Sequence, residues 1–342
     1  MNTRNHTRDV SRRDFLAGCA AASALSLSTS RPLTTKAEEQ HDRTGRALIG
    51  ITFDLEMSRN FPTRETTHWD YEKGNLNEAT KQYSVEAARR VKEADARIHF
   101  FAVGRVFEQA NVDWLREIVE TGHHVGNHTY DHVNVTATKI EDVQFRFRRS
   151  PWLASGRSPA ELIRDNIRLC EIAMHNRLGI KPAGFRTPGG FNGGLRDRPD
   201  IRSMLQTLGY DWISSLYPPH PNTAPMQEPS SSVIDAIVAA HEESQPFAYP
   251  DGLIEIPMSP ISDIGAFRTG QWKLEWFLAV IRESVEWAIE HQGVFDFLAH
   301  PSCMYVVDPN FKAIELICEL VDRAGDRAEI VGLDTIAQRV AT

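Results

Sequence analysis

The stretch Ala47-Leu-Ile-Gly-Ile-Thr-Phe-Asp-Leu-Glu56 is a continuous apolar run that ends in two acidic residues. Its length suits a strand, and because apolar residues do not alternate with polar ones, both faces of that strand are expected to be buried. Asp54 and Glu56 lie two positions apart, so their side chains point to the same face. The stretch therefore predicts a buried first strand of a parallel sheet, with two carboxylates at its carboxyl end.

Further apolar runs of strand length follow, and amphipathic stretches separate them. The predicted strands cover 47–55, 97–103, 124–129, 184–188, 211–216, 253–258, 294–299 and 329–333. The predicted helices cover 78–94, 113–121, 158–178, 201–208, 274–291 and 311–324. Continuous apolar strands that alternate with helices are typical of a parallel sheet covered by helices. Seven or eight such units predict an α/β fold, a closed or nearly closed (β/α)7-8 barrel in a single domain.

The composition of the chain narrows the classes of function. Its 342 residues include 38 Lys+Arg and 46 Asp+Glu, which gives a net charge of −8. Nucleic-acid binding, which needs clustered basic residues, is therefore not expected. The sequence has no uncharged apolar stretch of about 18 residues, so no stable membrane anchor is expected either. Cys170, Cys303 and Cys318 have no metal-ligand spacing and are predicted to be small buried residues.

Residues 1–37 differ from the rest of the chain. Basic residues precede an apolar run, as in a secretory signal, and Ser11-Arg-Arg-Asp-Phe-Leu16 resembles the twin-arginine export motif. We predict a signal peptide at 1–37, a short linker at 38–46 and a barrel at 47–342. The twin-arginine export machinery would then be a partner, and the mature protein would be periplasmic or secreted. Residues 1–37 hold six basic and two acidic side chains, so their removal changes the net charge from −8 to −12.

Polar residues recur at the carboxyl ends of the predicted strands. The third ends in His128-Thr-Tyr-Asp-His132, the fourth contains Arg186, and the seventh is followed by His300. In a parallel barrel these ends converge on one face, so their side chains should meet in one pocket. His128 and His132 can bind one metal ion if they lie on a helical turn, and two histidines with one carboxylate are a catalytic zinc pattern. An isolated pair of this spacing would more often be structural.

Taken together and in this order, these motifs resemble the polysaccharide deacetylase family, which includes chitin, chitooligosaccharide and peptidoglycan deacetylases. The resemblance covers about residues 47–334, and His-Thr-x-x-His at 128–132 is its most specific part. It implies a distorted barrel with one divalent metal ion, usually Zn²⁺, bound by His128, His132 and an acid. It also implies that Asp54 is the catalytic base, that Arg186 orients Asp54, and that His300 is the general acid.

The sequence departs from the common family pattern in two places. The usual first motif has two adjacent acids, but Leu55 follows Asp54 here. A subgroup uses Asp-x-Glu, which makes Glu56 the expected third metal ligand. Gly189 stands where the family commonly has Tyr, and its backbone N–H is the expected oxyanion donor.

Other candidate site residues have weaker support. Asp211, at the start of the predicted fifth strand, is expected to orient His300 or Arg186, or else only to cap its strand. Aromatic residues can stack on sugar rings, although burial in the core is the usual alternative. The candidates for substrate binding are Trp69, Tyr71 and Trp212.

The leading hypothesis is a metal-dependent hydrolase that removes acetyl groups from a carbohydrate, by hydrolysis of an amide or ester. One alternative is an amidohydrolase of the same fold that acts on a small cyclic amide or ureide. Another is a non-catalytic, metal-containing carbohydrate-binding barrel. Two long excursions, at 57–80 and 217–250, follow predicted strands and should overhang the metal site. They favour short oligosaccharides or small amides over polymers.

Overall fold

The computed structural model describes residues 45–57 and 73–341, in which nine strands form one sheet. The strands are β1 (Ala47–Leu55), β2 (His99–Ala102), β3 (His124–Asn127), β4 (Phe185–Phe191), β5 (Trp212–Leu216), β6 (Phe247–Ala248), β7 (Ile254–Glu255), β8 (Val294–Ala299) and β9 (Ala328–Ile330). Their order is β6-β7-β5-β4-β3-β2-β1-β8, and β9 pairs with β1. All pairings are parallel except the one between β6 and β7.

The sheet curls into an incomplete barrel, which confirms the predicted fold class. Strands β6 and β8 are the two ends of the strand order. Beyond β7, Ser259 N donates a hydrogen bond to Asp296 O on β8 (3.1 Å), which links the two ends of the sheet. The described strands and helices belong to one domain.

Eleven α-helices lie within the described residues. They are α1 (Glu78–Glu93), α2 (Asp113–Glu120), α3 (Ile140–Val143), α4 (Phe145–Arg149), α5 (Pro159–Leu178), α6 (Pro199–Thr207), α7 (Ser231–Ala239), α8 (Leu274–His291), α9 (Pro301–Val307), α10 (Lys312–Ala324) and α11 (Leu333–Ala341). A π-helical turn covers Ile264–Thr269. Within the described part of the chain, no helix is both long and apolar enough to cross a membrane.

The predicted bounds of β1, β8 and α8 match the structure residue for residue. Five helices were not predicted: α3, α4, α7, α9 and α11. Helix α7 lies inside the excursion at 217–250 and packs against α8. The strand predicted at 329–333 stops at Ile330, because Gly332 and Leu333 begin the turn into α11. The other predicted strands and helices differ from the observed ones by a few residues at their ends, except β7, which is only two residues long.

The alternation of side chains along β1 explains how the fold positions the site. Ile49, Ile51 and Phe53 point outward into the core beneath the helices, where α1 buries Ala87 and Val91. The even-numbered positions of β1 face the inside of the barrel, because successive side chains point to opposite faces. The polar residues among them, Thr52 and Asp54, lie near the carboxyl end of the strand. Asp54 lines a cleft at that end.

Candidate active site

The carboxyl ends of β1, β3, β4 and β8 meet around one cleft with a volume of about 940 Å³. The cleft is lined at its base by Asp54, Glu56, His132 and His300, and Gly189 lies in its wall. These residues are separated by up to 246 positions in the chain, and the parallel sheet brings them together.

Three potential metal ligands form a compact group. The nearest ligand atoms of Glu56, His128 and His132 all lie within 4.8 Å of one another. His128 Nε2 is 3.2 Å from Glu56 Oε2, and His132 Nε2 contacts the same oxygen. His128 Nδ1 donates a hydrogen bond to Arg186 O (3.0 Å). That bond fixes the proton on Nδ1 and leaves the lone pair of Nε2 free to face the carboxylate, as a metal ligand requires.

The loop that carries the two histidines is irregular, so the helical turn expected at 128–132 is wrong. Thr129 and His132 both have left-handed backbone angles (φ 60° and 59°), which are rare for residues other than Gly. The conformation is held by hydrogen bonds on both sides of Thr129. Asn127 Oδ1 accepts from Thr129 N (2.8 Å), and Thr129 Oγ1 accepts from Val133 N (3.0 Å). Both imidazoles point to Glu56, as predicted, but an irregular loop positions them and not a helical turn.

The charges of these residues fit a divalent cation. Burial favours the neutral form of Glu56, but its interactions with His132, Lys73 and His128 outweigh burial and hold the pKa of Glu56 well below its usual value. Burial lowers the pKa of His132 to about 4, so its imidazole is neutral at pH 7. One carboxylate and two imidazoles are a donor set that suits zinc.

Lys73 is a member of the site that the sequence analysis did not single out. Its side chain is buried, and Nζ lies 2.7 Å from Glu56 Oε1 and 3.4 Å from His132 Nε2. The residue lies in the long excursion after β1, where the sequence showed only a mixture of polar and aromatic residues.

A fully buried arginine fixes the position of Asp54. Arg186 donates hydrogen bonds to Asp54 Oδ1 (3.2 Å), Thr52 Oγ1 (2.8 Å) and Ser214 Oγ (3.2 Å), and it contacts Asp296 Oδ2. The structure thus brings Arg186 and Asp54 together as the resemblance implied. The sequence analysis did not identify Asp296 as a site residue, although the sequence contained an indication. Asp296 is the one acidic residue in the apolar strand β8, and its even number places it on the same face of the strand as His300.

A second buried carboxylate holds His300. Nδ1 of His300 is 2.9 Å from Asp263 Oδ1, and the backbone N–H of His300 donates to Asp263 Oδ2 (2.9 Å). His300 Nε2 lies 3.2 Å from Glu56 Oε1. Burial opposes protonation of His300, but Asp263 and Glu56 outweigh it and raise the pKa of His300 to about 10. His300 is therefore protonated at pH 7, the state that a general acid needs.

Two predicted site residues lie elsewhere. Asp211 is exposed and precedes β5, so it sits at the amino end of that strand, whereas the cleft lies at the carboxyl ends. The expectation that Asp211 orients His300 or Arg186 is wrong, because Asp263 and Asp296 make those contacts.

Trp212 is not a substrate-binding residue but a core residue. It is buried, and its ring packs edge-on against His99, with ring centres 5.4 Å apart. It also covers Gly184, where an added Cβ would lie 2.1 Å from the indole. Burial in the core was the alternative that the sequence left open, and it holds for Trp212.

The remaining predicted substrate-binding residues have different outcomes. Gly189 lines the cleft with a φ of 74°, and its carbonyl accepts a hydrogen bond from Thr187 Oγ1 (2.7 Å). Trp69 and Tyr71 lie outside the described residues. From the second excursion, Tyr217 and His220 reach the cleft wall.

An incomplete α/β barrel with a buried carboxylate, a buried histidine and a group of potential metal ligands at its strand ends has an arrangement that suits a hydrolase. The sequence model for polysaccharide deacetylases matches residues 41–212, half of the chain. The chain belongs to the polysaccharide deacetylase family, and the resemblance seen in its motifs is confirmed. Members of this family are metal-dependent hydrolases that act on carbon–nitrogen bonds.

Solved structures share the fold at low sequence identity. A protein of Mycobacterium smegmatis described as a polysaccharide deacetylase has a TM-score of 0.57 and 16% identity, and the alignment covers 86% of this chain and 91% of that one. The PuuE allantoinase has a TM-score of 0.56 and 12% identity, with 86% and 90% covered. A protein of Pseudomonas aeruginosa PAO1 described as a polysaccharide deacetylase has a TM-score of 0.56 and 13% identity, with 85% and 89% covered. Among the curated proteins, none matches the sequence.

Proposed function

We propose that this protein removes acetyl groups from a short carbohydrate by metal-dependent hydrolysis. The observation that carries the proposal is the arrangement around one cleft: the donor set of Glu56, His128 and His132 lies beside Asp54 and His300. Each of the last two is held by a buried partner of opposite charge. Family membership supports a carbohydrate as the substrate.

The residues of the cleft have separate roles in the proposed hydrolysis. A divalent metal ion, which we propose is Zn²⁺, would supply Lewis-acid chemistry at Glu56, His128 and His132. Asp54, oriented by Arg186, accepts the proton of the attacking water. The backbone N–H of Gly189 donates to the carbonyl oxygen as negative charge develops there. His300 then gives its Nε2 proton to the leaving nitrogen or oxygen.

A small cyclic amide or ureide is the second candidate substrate. The cleft supports it, because Tyr217–Asn222 and the π-helical turn Ile264–Thr269 both contribute to its lining. A volume of about 940 Å³ is near the upper end of the range for pockets that enclose a small ligand, about 300–1,000 Å³. A cleft of this size also favours short oligosaccharides over polymers. A carbohydrate-binding barrel without activity is disfavoured, since it would need neither Asp54 nor His300.

The test is a panel of acetylated mono- and oligosaccharides, polymeric chitin, xylan and small cyclic imides. Acetate release and ring opening are measured with the metal-loaded protein, and again after chelation. We expect acetate release from the short sugars, lost on chelation and restored by zinc. Faster turnover of a polymer than of every short substrate would contradict the size preference. Ring opening without acetate release would favour the second candidate.

We also propose that residues 1–37 direct twin-arginine export, that 38–46 form a linker, and that the mature barrel at 47–342 works in the periplasm or outside the cell. The support is the sequence pattern alone, because residues 1–44 lie outside the described part of the chain.

A further inference from the structure

We propose that Lys73 is a positioning residue that keeps Glu56 bound to the metal ion through one oxygen only. Its ammonium group holds Oε1 of Glu56, which leaves Oε2 for the metal and keeps one coordination position open for water or substrate. The inference rests on the proposed function, since it assigns a role within the same metal site. It starts from the contacts of the two carboxylate oxygens.

The two oxygens of Glu56 face different groups. Oε2 lies 3.2 Å from His128 Nε2 and also contacts His132 Nε2, so this oxygen belongs to the donor set. Oε1 lies 2.7 Å from Lys73 Nζ and 3.2 Å from His300 Nε2. One oxygen therefore faces the other two potential metal ligands, and the other oxygen faces two hydrogen-bond donors.

Lys73 and His300 differ in what they do during the reaction. His300 is the proposed general acid, so it gives its Nε2 proton away in each turnover. The ammonium group of Lys73 has three donor hydrogens and takes no part in that transfer. Lys73 therefore supplies Oε1 with a donor throughout the reaction. This matters because Glu56 is buried, and a buried carboxylate oxygen is strongly disfavoured without a donor.

The backbone beside Lys73 is anchored to the end of β1 by contacts within the chain. Gly74 N donates a hydrogen bond to Glu56 O (2.9 Å), and Gln109 Nε2 donates to Gly74 O (3.1 Å). Gly74 has a φ of 80°, and an added Cβ would lie 2.5 Å from Arg105 Cβ, so this turn requires glycine. The fold itself thus places the buried ammonium group of Lys73 against Glu56.

Loss of the ammonium group should change metal binding in a defined direction. Without that donor, Oε1 can turn to the metal, and Glu56 then binds through both oxygens. Catalytic zinc sites keep an open position for water or substrate, and a second carboxylate oxygen would fill it. The removal of a nearby positive charge also favours a bound cation. Metal binding should therefore become no weaker, while turnover falls.

The experiment compares Lys73→Met, which has a similar length and no donor, with Lys73→Arg, which keeps the charge and the donors. Lys81→Met is the matched control, because Lys81 Nζ lies 2.6 Å from Oε1 of the exposed Glu78 and does not line the cleft. The zinc dissociation constant is measured by competition with a chelator, and the visible absorption of the cobalt(II)-loaded protein reports its coordination. The kcat and KM values are measured for acetate release from an N-acetylated disaccharide.

For Lys73→Met we expect weaker cobalt(II) absorption, because these bands lose intensity as the coordination number rises. At saturating zinc, kcat should fall about 10- to 100-fold and KM should change less than about threefold. The zinc dissociation constant should stay the same or decrease. Lys73→Arg should keep the wild-type spectrum and most of the turnover, and Lys81→Met should match the wild type throughout.

An unchanged cobalt(II) spectrum in Lys73→Met would overturn the inference, and so would weaker zinc binding. A raised KM with an unchanged spectrum would show that Lys73 binds the substrate instead. If circular dichroism shows that Lys73→Met does not fold, Lys73→Gln takes its place with the same expectations, since its side chain is one atom shorter than that of Lys.

The zinc and cobalt measurements need no substrate, so they separate this inference from the proposed function. The expected spectral change in a protein that releases no acetate, the wild type included, would support the role of Lys73 and contradict the proposed function. Acetate release by the wild type without a spectral change in Lys73→Met would support the proposed function and overturn the inference.

Discussion

The carboxylate of Asp263 holds His300 by accepting two hydrogen bonds, one from the ring Nδ1–H and one from the backbone N–H, both 2.9 Å long. The pair fixes the ring so that Nε2 faces the cleft, and it keeps the ring protonated. Asp263 is thus a positioning residue that acts through His300.

Replacing Asp263 by Asn should lower kcat about 10- to 100-fold, because partners of this kind commonly have effects of that size. KM and metal content should change little. Asp211→Asn is the matched control, since Asp211 is exposed at the other end of its strand. A larger loss of kcat in Asp211→Asn than in Asp263→Asn would contradict the corrected assignment.

Substitutions of Asp54 and of Glu56 should affect different properties, turnover in one case and metal binding in the other, although the two residues lie only two positions apart. Asp54→Asn removes the base and should reduce kcat about 10²–10⁴-fold while metal is retained. Glu56→Gln removes a ligand and should instead weaken metal binding. Metal content and acetate release are measured on the same preparations. Reversed phenotypes would show that the two roles had been exchanged.

Trp212→Ala should destabilise the fold by about 3–5 kcal/mol, because it removes a large buried ring from the core. The free energy of unfolding in urea measures the effect. Trp152→Ala is the control: Trp152 is 71% exposed, so its loss should cost less than about 0.5 kcal/mol. A stable Trp212→Ala variant with a raised KM would restore Trp212 as a substrate-binding residue.

Arg12→Lys together with Arg13→Lys should block export and leave folded protein in the cytoplasm. The conservative change keeps the charge, so a general secretory signal would tolerate it. Fractionation of cells that express each form measures the outcome. Normal export of the double variant would count against the twin-arginine proposal.

The sequence predicted the fold and the centre of the site because both depend on local patterns. The continuous apolar runs of β1 and β8 and the helical spacing of α8 define the bounds of these elements. Asp54 lies at the end of a strand, and Glu56 and the His128–His132 pair follow a strand directly. Contacts between distant segments carry no such pattern. Lys73 and Asp263 reach the cleft from long connections, so only the fold reveals them.

The wrong assignments of Asp211 and Trp212 to the site also have physical causes. Asp211 was chosen as an acid next to a strand, but it lies before the strand, and only residues at the carboxyl end can reach the cleft. Trp212 is inward-facing, yet near the amino end of β5 the barrel interior is filled by packed side chains such as His99. The position of an inward-facing side chain along its strand therefore decides whether it packs in the core or lines the site.

The central claim is that Glu56, His128 and His132 form one metal centre. Elemental analysis of protein purified without added metal tests it most directly, with the His128→Ala, His132→Ala double variant beside the wild type. The account predicts one divalent metal ion per chain in the wild type, with zinc as the expected metal, and none in the folded double variant. Full occupancy in the double variant would show that the ligands lie elsewhere and would contradict the account.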